Sequence, residues 1–185
     1  MSAAATPATP ATGSEGMPAI GKAATPGQLA RFAAQAAADD RRLVVGALIA
    51  DEQGRIYVQR RSEDRALFPG CWDLVGGHVE AGEDLMTALE REVLEETGWR
   101  LLGSGPVVEI LDWSAGDGVA RREIDLLVSV AGDLTKPYLE PGKHSEGRWL
   151  AQHELNVLLE RRHKDDRWVH DTVERAFGLL AELPT

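Results

Sequence analysis

The chain has 185 residues, 20 of them Lys or Arg and 30 Asp or Glu, for a formal net charge of −10. Its length suits one domain with room for a tail, and 43% hydrophobic with 27% charged residues is enough apolar material for a buried core, which excludes wholesale disorder. An acidic chain without a dense Lys/Arg block is a poor partner for a nucleic-acid polymer, whose binding draws on many cations releasing counterions. The single cysteine, Cys71, excludes an intramolecular disulfide. No apolar run approaches the roughly 18 to 20 residues of a membrane span, and the N-terminus lacks a basic start and apolar centre, so a cytoplasmic protein without membrane attachment is expected.

Residues 1–27 repeat Ala, Thr and Pro, with Glu15 and Lys22 as their charges. Repeated prolines remove amide donors and bias their neighbours to extended geometry, so a low-complexity tail is expected. Gln28–Ala38 is alanine-rich and suits a short linker helix, and Asp39-Asp40-Arg41-Arg42 marks a domain edge, giving a tail and linker over 1–40 and a domain over 41–183. Leu43–Ala50 reads as a strand, Asp51–Gly54 as a turn, and Arg55–Arg60 as a second strand with Ile56 and Val58 on one face. A loop, Arg61–Cys71, precedes a short strand Trp72–Val75 that runs into Gly76-Gly77. Asp84–Thr97 is a helix by the spacing of Leu85, Leu89 and Val93, stopped by Gly98 in a left-handed conformation. Val107–Trp113 and Ile124–Val130 are strands around a Gly-containing turn, and Arg148–Ala151 is a further short strand. Helices are expected over 152–161 and 166–182, the second capped by Asp165 or Asp166. This order predicts an α/β fold, a mixed sheet sandwiched between helices.

The informative segment runs from Gly77 to Trp99. At about 100° per residue, Glu92, Glu95 and Glu96 occupy one arc of roughly 100° on the helix, with Ala88 one turn earlier on the same side. Two of their spacings are like-charge neighbours, each costing about 0.2 to 0.5 kcal/mol on an exposed helix, and no lysine lies on that arc. A cation between them would convert repulsion into affinity, and clustered carboxylates suit hard Mg²⁺ or Mn²⁺. Such a charge run is ordinarily a solvated helix face, but its flanks argue for more. Gly77, Glu83, Arg91, Glu92, Val93, Glu95, Glu96, Gly98 and Trp99 stand at every fixed position of the Nudix box, and the segment resembles that signature throughout. Seven fixed residues at about 7% frequency each match by chance on the order of 10⁻⁸ per starting position. The preceding stretch from Leu43 and the later Arg148-Trp149-Leu150 are similar to the family too, so the likeness covers 41–183. Trp99 departs from the aliphatic residue usual there but keeps its apolar character.

The resemblance implies a Nudix-type α/β/α sandwich in a single domain, a divalent metal ion, and cleavage of a diphosphate joined to another group in a small nucleotide substrate. It implies Glu92, Glu95 and Glu96, with the backbone carbonyl of Gly76, as metal ligands, and Glu83 paired with Arg91 to hold the loop against the helix. Family members often take a general base from the loop before the Arg-Trp strand. Lys143 stands where an acid often occurs, so Glu146, Glu140 or Glu92 itself is left for that role, Glu146 first. Glu80 matches an extra acidic residue of many members, its role open.

Outside the box, Arg60, Arg61 and Arg65 suit phosphate oxygens through their guanidinium forks, or form a solvated loop edge. Trp72, Trp113 and Tyr138 are either stacking platforms for a base or packing residues. His78 is expected on an exposed loop, and Cys71 as a semi-buried small residue. Two other functions compete: a Nudix-fold isoprenoid diphosphate isomerase, whose Cys-Ser-His type motif is missing here, and a non-catalytic nucleotide-sensing module, which would have damaged glutamates where these are intact. The apolar runs are compatible with a homodimer.

Overall fold

The computed structural model describes residues 22–182, so most of the expected Ala/Thr/Pro tail lies outside the described residues. The first helix, α1 (Pro26–Ala38), is opened by Thr25, whose hydroxyl accepts from the Gln28 amide while the Gln28 side chain accepts from the Thr25 amide, a reciprocal capping box. This helix is more than a linker. Leu29 is buried in the main core, Ala36 is buried too, and the Ala24 amide donates to the Gly105 carbonyl, so packing begins before residue 41.

Two sheets carry the domain. In the first, β1 (Arg42–Ile49) lies between β4 (Val75–His78), antiparallel, and β6 (Ala120–Ala131), parallel, with β5 (Arg100–Ser114) antiparallel at the far edge of β6. In the second, β2 (Ile56–Arg61) lies between β3 (Trp72–Asp73) and β7 (His144–Leu150), both antiparallel. The expected strand Trp72–Val75 is interrupted at Leu74, whose amide donates to the Asp73 side chain, and its two halves join different sheets. The strand expected from Val107 begins at Arg100. The edge strand takes in Gly103, Gly105 and Pro106 through register shifts between Leu101 and Glu109.

Side-chain alternation sends Val45, Ala47, Ile49, Ile124, Leu126 and Val128 to one face, where Leu85, Ala88, Leu89 and Val93 of α2 (Leu85–Thr97) cover them. Leu48 and Leu127 point the other way, beneath Leu155 and Leu158 of a 3₁₀ helix (Gln152–Leu159) and Val169, Val173 and Phe177 of α3 (Trp168–Ala181). Helices on both faces of a mixed and an antiparallel sheet make the expected α/β/α sandwich. The segment Gln152–Leu159 is a 3₁₀ rather than an α-helix. Neither Asp165 nor Asp166 caps α3: its N-cap is Arg167, without a side-chain cap bond, and Asp166 instead accepts from Arg162.

Candidate active site

The helix that carries the three glutamates is fixed at both ends. Asp84 caps α2 by accepting from the Thr87 amide at 2.8 Å, and Gly98 ends it with φ 71°, a left-handed conformation that costs glycine little. Its apolar stripe enters the core, which leaves Glu92 and Glu96 at the rim of that core, 6% and 3% exposed. Both lie in the wall of a cleft of about 770 Å³ at the junction of β4, α2 and the loops after β2 and before β7. Glu95 lines the same cleft with a more exposed side chain.

Glycine makes the close approach possible. A Cβ on Gly77 would stand 2.3 Å from Glu92 Oε1, and one on Gly76 would stand 2.2 Å from the Val45 carbonyl. The Gly76 amide donates to Glu96 Oε2 at 3.1 Å, and Gln59 Nε2 of β2 donates to the same oxygen at 2.9 Å, so Glu96 ties the two sheets to α2.

Arg91 organises the rest. Its guanidinium donates to both oxygens of Glu83 at 2.8 and 3.0 Å, to Glu92 Oε1 at 2.7 Å, to Glu95 Oε2 at 3.4 Å and to the His78 carbonyl at 3.0 Å. The hydrogen bond from Arg91 holds the Glu83 carboxyl down at about 2. This cation, together with Lys143 reaching in from the loop before β7, balances a cluster whose own arc lacks a positive charge. Burial nonetheless pushes the Glu92 carboxyl up against the opposing pull of Arg91, and pushes Glu96 up to about 8. Among the described residues, no hydrogen-bond donor reaches Glu92 Oε2, Glu95 Oε1 or Glu96 Oε1; His144 Nε2 stands 3.8 Å from the last. Three carboxylate oxygens without donors beside a glycine-lined strand are the donor set a hard divalent cation takes. Their donor atoms do not all lie within 4.8 Å of one another; Arg91 bonds Glu95 and Gln59 bonds Glu96. The one group of that kind among the described residues is His170, Asp171 and Glu174 on α3, where Arg167 already bonds His170 and Asp171.

Known proteins carry the same architecture. A family model for the NUDIX domain matches residues 40–172. A nucleoside triphosphatase, NudI, of Escherichia coli O139:H28 is 39% identical over 81 residues, 44% of this chain and 54% of that protein, so the chain spans about half the length of the curated relatives it matches. Among solved structures, the MutT NUDIX hydrolase of Burkholderia pseudomallei superposes with a TM-score of 0.59 at 28% identity, covering 72% of this chain and 98% of that one. The MutT protein of Methanosarcina mazei Go1 gives 0.59 at 26% identity, over 74% and 92%. The chain belongs to the Nudix hydrolase family.

The remaining candidates divide by position. Arg61 and Arg65 line the Nudix cleft, but Arg61 is occupied by Asp73 at 3.2 Å and the Leu67 carbonyl at 2.9 Å. Arg60 is not in the lining: it donates to the Gly70 carbonyl, lies over Trp72 and faces Glu146 at 3.8 Å across the β2–β7 pair. That pairing carries Glu146 away from the cleft, with about half its side chain exposed, and Glu140 is bound to Lys143 at 2.8 Å. Of the three carboxylates considered as base, Glu92 alone lies in the cleft. His78 is not on an exposed loop. It ends β4 inside the cleft, its Nε2 accepting from Arg121 at 3.3 Å, and burial lowers its pKa to about 4. Cys71 is buried against the Arg161 carbonyl, outside the lining, which offers nothing to the isomerase alternative. Trp72 is core, Tyr138 is exposed, and Trp113 lines the cleft. No motif marks Asp73, Glu123 and His144, which strand pairing brings to the cleft, or Gln59, which reaches Glu96 from β2.

Proposed function

We propose that the protein is a metal-dependent pyrophosphohydrolase that cleaves a nucleoside triphosphate or nucleoside diphosphate derivative and releases a nucleoside monophosphate. The observation that supports it most is the trio of donor-free oxygens on Glu92, Glu95 and Glu96 in one cleft beside Gly76. These glutamates and the Gly76 carbonyl would hold Mg²⁺ or Mn²⁺. Bound there, the ion would neutralise phosphate oxygens and polarise the anhydride to be broken. Arg65, which has no ion pair among the described residues, and Lys143 present positive charge to the outer phosphates. Glu92, the base candidate that lies in the cleft, would take the proton of the attacking water on the oxygen not bound to the ion. Glu83 and Arg91 fix the loop from His78 to Glu83 against α2 and so set the Glu92 rotamer. The substrate class follows the nucleoside triphosphatase relative in part, and a cleft of this volume suits a small nucleotide and not a polymer.

The test is release of monophosphate from a panel of nucleoside triphosphates and sugar nucleotides with Mg²⁺ or Mn²⁺, against the Glu96→Gln protein as control. Turnover above that control on at least one anhydride is expected; monophosphate esters should be spared.

A further inference from the structure

The chain that enters β7 brings to the cleft an imidazole that the phosphate chemistry does not use. In the β2–β7 pair Arg60 stands opposite Glu146 and Arg61 opposite His144, so Ser145 is passed over in a register shift. Such a bulge re-aims the side chains beside it. Glu146 is carried away from the cleft with Arg60, whereas His144 lines it. The backbone here is held on both sides: the Ser62 amide donates to the Lys143 carbonyl at 2.9 Å, and the His144 amide to the Glu140 carbonyl at 3.3 Å.

The ring itself is held by no hydrogen bond. The His144 side chain is 3% exposed; its Nδ1 is enclosed without a partner among the described residues, and its Nε2 faces Glu96 Oε1 at 3.8 Å. That gap is too long for a hydrogen bond, and an imidazolium paired with a carboxylate would close to about 2.8 Å. It does fit two ligands of one ion. At metal–ligand distances of about 2.0 to 2.2 Å, adjacent and opposite ligand atoms stand about 3 to 4.4 Å apart. Glu96 is turned to suit: Gln59 Nε2 and the Gly76 amide both donate to Oε2, which fixes the carboxylate and leaves Oε1 toward His144. A buried ring without a hydrogen bond is rare in folded proteins, and a bound ion is one of the few things that explain it.

We infer that His144 Nε2 binds the same metal ion as Glu96 Oε1, so that one nitrogen joins the oxygens of Glu92, Glu95 and Gly76. The inference rests on the hydrolase reading for what the ion does, and adds the ion's preferred identity. A site of oxygens alone suits Mg²⁺, whereas an imidazole in the set favours first-row transition ions, Co²⁺ above Mn²⁺ and both above Mg²⁺.

The test is electron spin echo spectroscopy of Mn²⁺ bound to the full-length protein, prepared with ordinary and with ¹⁵N-labelled histidine. A nitrogen coupling that changes with the histidine label is expected, and it should vanish in His144→Gln although the other histidines stay labelled. Titration of Mn²⁺, with Co²⁺ and Mg²⁺ as competitors, gives a second readout. Glutamine offers an oxygen in place of the nitrogen, so His144→Gln should weaken Co²⁺ binding by about tenfold or more and Mg²⁺ binding by less than about threefold. Should the variant fail to fold, the label-dependent coupling in the wild type decides alone. Bound Mn²⁺ without histidine coupling, or a Co²⁺ to Mg²⁺ affinity ratio unchanged in a folded His144→Gln, would overturn the ligand and leave the hydrolase reading standing. Histidine-coupled Mn²⁺ in a protein that hydrolyses no nucleotide would instead keep the ligand and sink the hydrolase reading.

Discussion

Asp125 is the most enclosed acid among the described residues, and replacing it with asparagine should alter stability in a pH-dependent way. Burial pushes Glu123 up to about 8 and Asp125 well above the ordinary carboxyl range. In the unfolded chain both would lose their protons near pH 4. The folded state thus holds protons that the unfolded state releases. Their contribution to stability is complete below the unfolded pKa values and is lost as pH rises through the folded ones. The loss therefore sets in above about pH 4 and runs through the raised folded values, about 8 for Glu123 and well above the ordinary range for Asp125. Asparagine has nearly the same shape, carries no charge to desolvate and offers an N–H to Glu123. Asp125→Asn should therefore lie within about 1 kcal/mol of the wild type near pH 5 and be about 2 to 3 kcal/mol more stable near pH 9. Urea unfolding at several pH values, with chelator present to exclude metal, measures this directly. Parallel pH profiles for the two proteins would refute the buried, protonated pair.

Three further outcomes are expected. Glu95→Gln and Glu96→Gln should each lower turnover by about 10² to 10³ while leaving the circular dichroism spectrum unchanged, since each removes a charge from the proposed metal site; near wild-type rates at saturating Mg²⁺ would contradict the assignment. Arg91→Lys keeps a charge but not the fork that bonds Glu83, Glu92 and Glu95, and should cost about 2 to 3 kcal/mol in metal-free unfolding, part of it regained with Mg²⁺; no loss would show that the Arg91 hub is dispensable. A chain beginning at Gln28 loses the Thr25 capping box and the Ala24–Gly105 bond, and should be about 1 to 2 kcal/mol less stable than one beginning at Lys22, as read by thermal unfolding; equal melting temperatures would show that α1 needs neither.

The box was legible because its chemistry is local. Glu92, Glu95 and Glu96 share one arc of one helix, and Gly98 ends it, so helical geometry alone brings them together. Glu146 shows where this fails. It is close in sequence to the loop that borders the cleft, yet the pairing of β7 with β2 sets it opposite Arg60, and that register is not written in either strand alone. Glu123 and Asp125 were hidden for the opposite reason. Their alternation with Ile124 and Leu126 has the pattern of a half-solvated strand, whereas this strand lies inside a sheet covered on both faces. The early start of the fold at α1 was masked by its neighbourhood: Pro and Ala repeats upstream suggested a tail, while Leu29 and Ala36 supply a small apolar stripe that only the core gives meaning.

The central claim is that water opens a phosphoric anhydride in the cleft of Glu92, Glu95 and Glu96. Hydrolysis of nucleoside triphosphates with Mg²⁺ in ¹⁸O-labelled water, with mass analysis of both products, tests it most directly. The expected result is one labelled oxygen per turnover, in either the nucleoside monophosphate or the pyrophosphate, at a rate that collapses in Glu96→Gln. Absence of anhydride cleavage above the Glu96→Gln background, with an allylic diphosphate rearranged without incorporation of label, would contradict it.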